Sequence, residues 1–576
     1  MFGSAARRAT RRVPFPLAED EFEASSSASA AIATLPSGHF LAQRPVTPPQ
    51  PESVISNSRL SDTDIDADAW AEGARPDTST LSAADYDVSV STGFMPPEEP
   101  VQSLSGLAGG WEVVEACLEA AQEEAKAIPG GGVGKLSERW RESVRALPGV
   151  STQSLTTLPL LRRAHTLLAH VMHFYMHSTF PSQTVVPAPV AVPLVAVSDR
   201  LGMPPILTYA DTVLWVWKLT DKALGLRADN VEITTTFTST PSERAFFLLS
   251  LFCELHGPAI LRLMSSTLDE AFFADEVALR RISAHLFALC PLIDELSNIM
   301  AGAVKGGFGP EAREKIVPEE FYWEIRPWFN GGKWVYEGIG PYREDQEMEW
   351  GGPSAGQSSL VHAIDLFLGV DHNPRSTSRS DFPDTFVEKR GTPSSTSLPT
   401  PAPALVKPSP AVTSASAPPT KEATFMLRMM HYMPAHHRSF LHHLSSLHLA
   451  NPLAPSAPIL PSVRELAQRH PAQLGEAYDL AVSTMKRFRD VHIRLVVHFI
   501  VAQAKTEPPQ NSPHWAGWEE RRVAKEREEE EKRLRGEVVE KGVMKGTGGT
   551  DLSTFLKRCR DRTAEAVLRS AQQQKQ

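Results

Sequence analysis

A chain of 576 residues exceeds what one hydrophobic core usually organises, so a few domains are expected. Its net charge of −10 argues against a general nucleic-acid binder. The four cysteines (Cys117, Cys253, Cys290, Cys559) are too scattered for a disulfide framework or a zinc site, which favours a reducing compartment.

The first residues, MFGSAARRATRRVPFP, are Arg-rich and acid-free, a faint likeness to a mitochondrial presequence. Acids begin at Glu19, and a cytoplasmic location is the main expectation. Residues 1–90 are rich in Ser, Ala, Pro and Asp without sustained periodicity, which predicts disorder. Helical spacing of apolar residues, at three and four, then recurs over 110–128, 158–177, 209–224, 243–256, 268–300, 356–369 and 474–500. PAPVAVPLVAVS (187–198) reads as an extended connector punctuated by proline. No hairpin signal and no βαβ alternation is evident, so the class is all-α. The apolar run AFFLLSLFCELHGPAILRLM (245–264) comes nearest to a membrane span, but Glu254, His256, Pro258 and Arg262 interrupt it, and a soluble protein without membrane contact is expected. Prolines make up roughly 8 % of the chain against a norm of ~5 %, and they concentrate in tracts. The Pro/Ser/Thr tract 371–423 cannot bury enough apolar surface to offset its ordering entropy and is a disordered insertion. Residues 505–545 begin KTEPPQNSP and continue as EERRVAKEREEEEKRLRGE, a solvated charged helix or loop.

Several local motifs could carry chemistry. GGPSAGQSS (351–359) opens a helix and can turn backbone N–H groups towards an anion, but it lacks the Lys of a P-loop and follows no strand. KGTGGTDLSTFLK (545–557) is a flexible loop running into a capped last helix. FYWEIRPWF (321–329) crowds five aromatics around Arg326, which either caps carbonyls structurally or offers a guanidinium fork to a carboxylate. In FRDVHIRLVVHFI (488–500), His492 shares a helix face with Phe488, Arg489, Leu495 and Val496. Burial there keeps an imidazole neutral. Such a residue is either a core histidine bonded to a carbonyl or a metal ligand. No Ser/His/Asp order, HExxH or Cys/His cluster is present, so hydrolase and zinc readings have no support.

These fragments also occur together and in order. PPILTYADTVLWVWK (204–218), AFFLLSLFCE (245–254), FYWEIRPWF, VYEG (335–338), GGPSAGQSSLVHAIDLFLG (351–369), MMHYMPAHHRSFL (429–441), FRDVHIRLVVHFI and KGTGGTDLSTFLK closely resemble indoleamine 2,3-dioxygenases, from about residue 93 to the C-terminus. The resemblance implies a two-domain helical fold: a small domain at 91–240 over a larger haem-binding one at 241–576, the latter interrupted by 371–423 and 505–545. It puts the proximal haem ligand at His492 and a buried Asp–Arg pair at Asp365 and Arg489, with Ala355, Gly356 and Val496 also beside the haem. Tyr209, Val213, Phe246, Phe247, Ser250 and Phe321 match the lining of an indole pocket. Arg326 matches the anchor for the substrate carboxylate, Ser354 a loop skirting haem and substrate, and Thr547 a threonine that closes over the substrate.

The activity so implied is insertion of O2 across the indole C2–C3 bond of L-tryptophan, giving N-formylkynurenine at the head of the kynurenine pathway and NAD synthesis. It would use one haem b per chain, kept ferrous by an electron donor, in a monomer. Ser250 could supply no more than a weak hydrogen bond. The alternative is a non-enzymatic haem protein that binds O2 on the same scaffold, but such a carrier would not need Arg326, Phe321 or Thr547. The chain departs from the family pattern in the 371–423 insertion, a short stretch between Arg326 and VYEG, Pro353 within the GG–SAG motif, and a long charged segment before KGTGGT.

Overall fold

The periodic segments fold as helices whose buried faces follow the apolar spacing. A computed structural model describes residues 79–339, 348–372, 425–448, 460–510 and 552–568, with short pieces between them. The helices are α1 (Trp111–Ala127), α2 (Glu138–Arg145), α3 (Leu158–Met176), α4 (Ala188–Leu201), α5 (Pro241–Glu254), α6 (Gly257–Phe273), α7 (Glu276–Lys305), α8 (Ser359–Phe367), α9 (Phe425–Met430), α10 (Ala435–Ser446), α11 (Val463–Arg469), α12 (Pro471–Val496) and α13 (Leu552–Glu565). The expected all-α class holds: the strands among the described residues are short, two to five residues each, and form one three-stranded and two two-stranded pairings.

Two apolar clusters organise the packing. The first joins α1–α4, the inner face of α5 and the aromatic segment 321–350, with Trp111, Phe174, Phe237, Phe247 and Trp328 fully buried. The second joins α6, α7, α8 and α10–α12, where α7 and α12 lie along one another and α13 packs on α12. Because α5 closes the first cluster and α6 follows after a two-residue break, the face of α5 sits between the two cores.

Four expectations are corrected. PAPVAVPLVAVS is not extended: it is α4, with Pro189 in its first turn and Pro193 inside. Pro193 forfeits one backbone hydrogen bond, but Val190, Ala191, Leu194 and Val197 are fully buried on the face towards α3, and that burial outweighs the loss. The segment 209–224 is not one helix. A wide π turn at Ala210–Leu214 gives way to strand Trp217–Leu219, paired antiparallel with Val231–Ile233. Aromatic and β-branched residues favour the extended form there, and the loop between the strands is closed by Asn230, whose side-chain amide donates to the Asp221 and Gly225 carbonyls, both at 2.7 Å. No two-residue turn announces such a hairpin. The predicted helix 268–300 is two, because Asp275 caps a new N-terminus by accepting from the Ala278 N–H at 2.8 Å. Finally, residues 79–90 are packed rather than disordered: Leu81 and Val88 are buried and Asp87 pairs with Arg162 of α3.

Two helical stretches, Pro241–Phe273 and Glu276–Lys305, are long and apolar enough to cross a membrane by length and composition. The first of them contains the 245–264 run that Glu254, His256, Pro258 and Arg262 interrupt. About half of each most apolar window is buried inside the fold, as for core helices of a helical bundle. Residues 1–78, 373–424 and most of 511–551 lie outside the described residues, and with them fall the rest of the 1–90 and 371–423 tracts, most of 505–545 and the loop carrying Thr547.

Candidate active site

Helix α12 carries Phe488, Arg489, His492 and Val496 at the spacing of one face. Phe488, Arg489 and Val496 are buried, whereas His492 keeps partial exposure. Even so, burial among its surroundings, assisted by the Arg489 charge, draws the His492 pKa down to about 4. Its ring makes no hydrogen bond among the described residues. A neutral imidazole with open surface deep in the protein and no partner is a ready metal ligand, and the alternative of a core histidine bonded to a carbonyl is not what the geometry has.

Beside it, Asp365 of α8 accepts from the Arg489 guanidinium at 2.5 Å and from His372 Nε2 at 2.9 Å. Burial alone would raise the Asp365 pKa, but Arg489 and His372 overcome it and hold the carboxyl at about 2. One oxygen of Asp365 (Oδ1) and one nitrogen of Arg489 (Nη1) are buried without a partner among the described residues. A cation with a free N–H is what an anionic edge group of a cofactor would complete, so the residues present fit a haem bound through His492. Cys559 of α13 lies close enough to feel both charges, and burial pushes its thiol up to about 12, so it is inert.

The other half of the site is built from α5, the Tyr209 turn, the 321–329 segment and the 354–358 loop. Phe246 and Phe247 of α5 meet Phe321 and Phe329: ring centroids are 4.6 Å apart for Phe246–Phe321 and 5.8 Å for Phe247–Phe329. Phe321 in turn meets Phe499, in the π turn (Val497–Val501) that continues α12 beyond His492, at 5.8 Å. Three π turns occur among the described residues, at 210–214, 321–325 and 497–501, and each carries a residue of this constellation: Val213, Phe321 and Phe499. Ser250 lies one turn beyond Phe246 with its side chain partly exposed. Arg326 follows Phe321 on the next turn, with its guanidinium 5.5 Å from the Tyr322 ring centroid; burial lowers its pKa without removing its charge.

The SAGQSS loop is tied to this wall by two hydrogen bonds and braced by one within its own turn. The Tyr209 N–H donates to Gln357 Oε1 at 2.8 Å, and Gln357 Nε2 donates to the Gly352 carbonyl at 2.9 Å. The hydroxyl of Ser358 donates to Glu254 Oε1 at 2.8 Å. Ser354 caps the short turn Ala355–Gln357 through its Oγ, and the Gly356 carbonyl accepts from His362 Nε2 at 2.9 Å. Gly356 has no room for a side chain: a Cβ would stand 2.9 Å from Phe425 and 3.1 Å from Met429, whereas Ala355 is exposed.

Tyr209, Val213, Phe246, Phe247, Ser250, Phe321, Arg326 and the 354–356 loop thus fall on adjoining segments, with His492, Val496, Arg489 and Asp365 on α12 and α8 next to them. Thr547 lies outside the described residues. Sequence reasoning missed Glu254, Phe329, Phe499 and His372. Glu254 had a signal, since it stands four residues after Ser250 and eight after Phe246, whereas His372 could be placed only by the fold.

Comparison with known proteins identifies the family of the chain as a whole. The sequence model of the family described as indoleamine 2,3-dioxygenase matches residues 82–566. An indoleamine 2,3-dioxygenase of Saccharomyces cerevisiae is 28% identical, covering 83% of this chain and 92% of its own. Indoleamine 2,3-dioxygenase acdA of Aspergillus candidus is 26% identical, over 84% of this chain and 98% of its own. 6-Hydroxytryptophan 2,3-dioxygenase fscD of Fusarium equiseti is 25% identical, again over 84% and 98%. The chain belongs to the indoleamine 2,3-dioxygenase family and is an enzyme of the tryptophan 2,3-dioxygenase type.

Proposed function

We propose that this enzyme inserts both atoms of O2 across the indole C2–C3 bond of L-tryptophan, giving N-formylkynurenine, with one haem b held by His492. The observation that carries the reading is the neutral imidazole of His492, without a partner among the described residues, backed by the buried Asp365–Arg489 pair whose Nη1 likewise has none there. Bound haem supplies the oxygen-activating chemistry. The chain's own residues do the rest by placement. Phe246, Phe247, Phe321 and Val213 form an apolar wall that excludes water and matches the flat indole face. Arg326 takes the substrate carboxylate in a two-pronged charge-assisted grip, which fixes the ring against that wall. Ser250 offers a hydroxyl for one neutral hydrogen bond, too weak a base to remove a proton. Thr547 is the residue we assign to closure over the polar end of the substrate. A cytoplasmic monomer supplied by an external electron donor, with its domains meeting near residue 240, completes the reading.

Because one relative is named for 6-hydroxytryptophan, a ring-hydroxylated tryptophan is the second substrate to assay. The test is product formation by purified protein given O2, a reductant and either amino acid. N-formylkynurenine from L-tryptophan supports the proposal. Haem-loaded protein that stays inert with both substrates refutes it and favours an oxygen-binding role.

A further inference from the structure

Glu254 is a buried carboxyl at the base of the pocket wall that the reaction, as derived above, does not use. Phe246, Ser250 and Glu254 follow one another at intervals of four on α5 and so share a face. The carboxyl is 1% exposed, and two hydroxyls from two other segments converge on the same oxygen, Oε1: Tyr209 at 2.9 Å and Ser358 at 2.8 Å. The second oxygen, Oε2, is buried and has no partner among the described residues. Three segments therefore meet at one side chain: the helix that carries Phe246 and Ser250, the turn that carries Tyr209 and Val213, and the loop that carries Ser354–Gly356.

A neutral amide would serve a purely mechanical joint better, since it accepts both hydroxyls without burying a charge. The carboxyl instead alternates between two strengths of grip. Ionised, it draws both hydroxyls into charge-assisted bonds, roughly twice as strong as neutral ones. Protonated, it offers a weaker carbonyl acceptor, and its own O–H needs a partner that the described residues do not supply. The surrounding groups leave this balance to the carboxyl itself. From the turn comes only the Tyr209 phenol, whose pKa burial and Glu254 push well above its usual value. The loop contributes the non-titrating Ser358. Cys253 beside it on α5 is a neutral thiol, and Glu295 of α7 acts on Cys253 and His256, not on Glu254.

We propose that Glu254 is a positioning residue for the indole: through Tyr209 and Ser358 it holds two walls of the pocket at the spacing the ring requires. The inference rests on the tryptophan reading above. Burial pushes the Glu254 pKa up to about 7, against the pull of the Ser358 and Tyr209 hydrogen bonds, so the grip changes within the physiological range.

The test uses full-length holoprotein and reads the tryptophan-induced change in the haem absorption band as a binding isotherm, between about pH 6 and pH 8. Wild type is expected to bind L-tryptophan about fivefold more tightly at the higher pH. Glu254→Gln is expected to retain haem, bind tryptophan and lose that pH dependence. Glu254→Ala is expected to bind weakly throughout, and in its background Tyr209→Phe costs less than it does in wild type. A Glu254→Gln isotherm that tracks wild type at every pH overturns the proposal, as does a pH-independent wild type. Should Glu254→Ala fail to fold, the Gln comparison decides alone. A wild type that takes up haem yet gives no tryptophan response overturns the substrate reading as well, so the two failures are distinguishable.

Discussion

The carboxyl at 254 also makes a stability prediction that needs neither haem nor substrate. Its pKa rises from an ordinary 4.5 to about 7 in the fold. A raised acid favours the folded state fully below its unfolded pKa, and that contribution is lost as pH rises through the folded value. At 1.36 kcal/mol per unit, the swing from 4.5 to about 7 is about 3 kcal/mol. Glu254→Gln has no charge to bury and keeps an acceptor for Tyr209 and Ser358. Relative to wild type, it is expected to gain about 3 kcal/mol of stability between about pH 4.5 and pH 7, with little further change above. Urea unfolding of the two apoproteins at half-unit pH intervals, compared through their midpoints, measures the difference. A gap between the curves that is constant with pH would refute the claim that this carboxyl is buried with an unsatisfied oxygen.

Asp365→Ala leaves the Arg489 cation buried with no carboxylate, which is expected to cost about 3–5 kcal/mol and to loosen haem; thermal melts and the haem-to-protein absorbance ratio check both. Arg326→Ala is expected to keep haem but lose roughly 1.5–3 kcal/mol of substrate binding, read as a ten- to hundredfold or greater rise in the tryptophan Kd; an unchanged Kd would remove Arg326 from the carboxylate role. In Gly352→Ala the new Cβ would stand 1.7 Å from the Phe329 carbonyl, so the turn joining the SAGQSS loop to the aromatic segment cannot close as it does here. Soluble yield and melting temperature are expected to fall sharply, while an unperturbed melt would show that the loop relaxes.

Helix existence was legible in the sequence wherever apolar residues recur at three and four over several turns, as in α3, α7 and α12. The misses have physical causes. Pro189 and Pro193 made α4 look extended, because proline's cost is local and visible whereas the offsetting burial against α3 is tertiary. The 209–224 segment has helical spacing but folds as a π turn and a strand, held by Asn230 from across a long loop. Leu81 and Val88 are too sparse to announce a packed segment, yet both find the second core. For the site, residue types and spacing alone left His492 and Arg326 with two readings each; the resemblance to a known family narrowed them. Neither route exposed the joint at Glu254. It depends on two hydroxyls arriving from Tyr209 and Ser358, far away along the chain. The π turns at 321–325 and 497–501, which bring Phe321 to Phe499, were equally invisible, since a single extra residue in a helical turn leaves no mark on hydrophobic periodicity.

The account stands most directly on the imidazole at 492. Purified protein reconstituted with haem is expected to display a Soret band at one haem per chain, and His492→Ala, folded by its far-ultraviolet circular dichroism, is expected to lose it. A folded His492→Ala protein with an unaltered Soret band, or a wild type that never acquires one, would contradict the account.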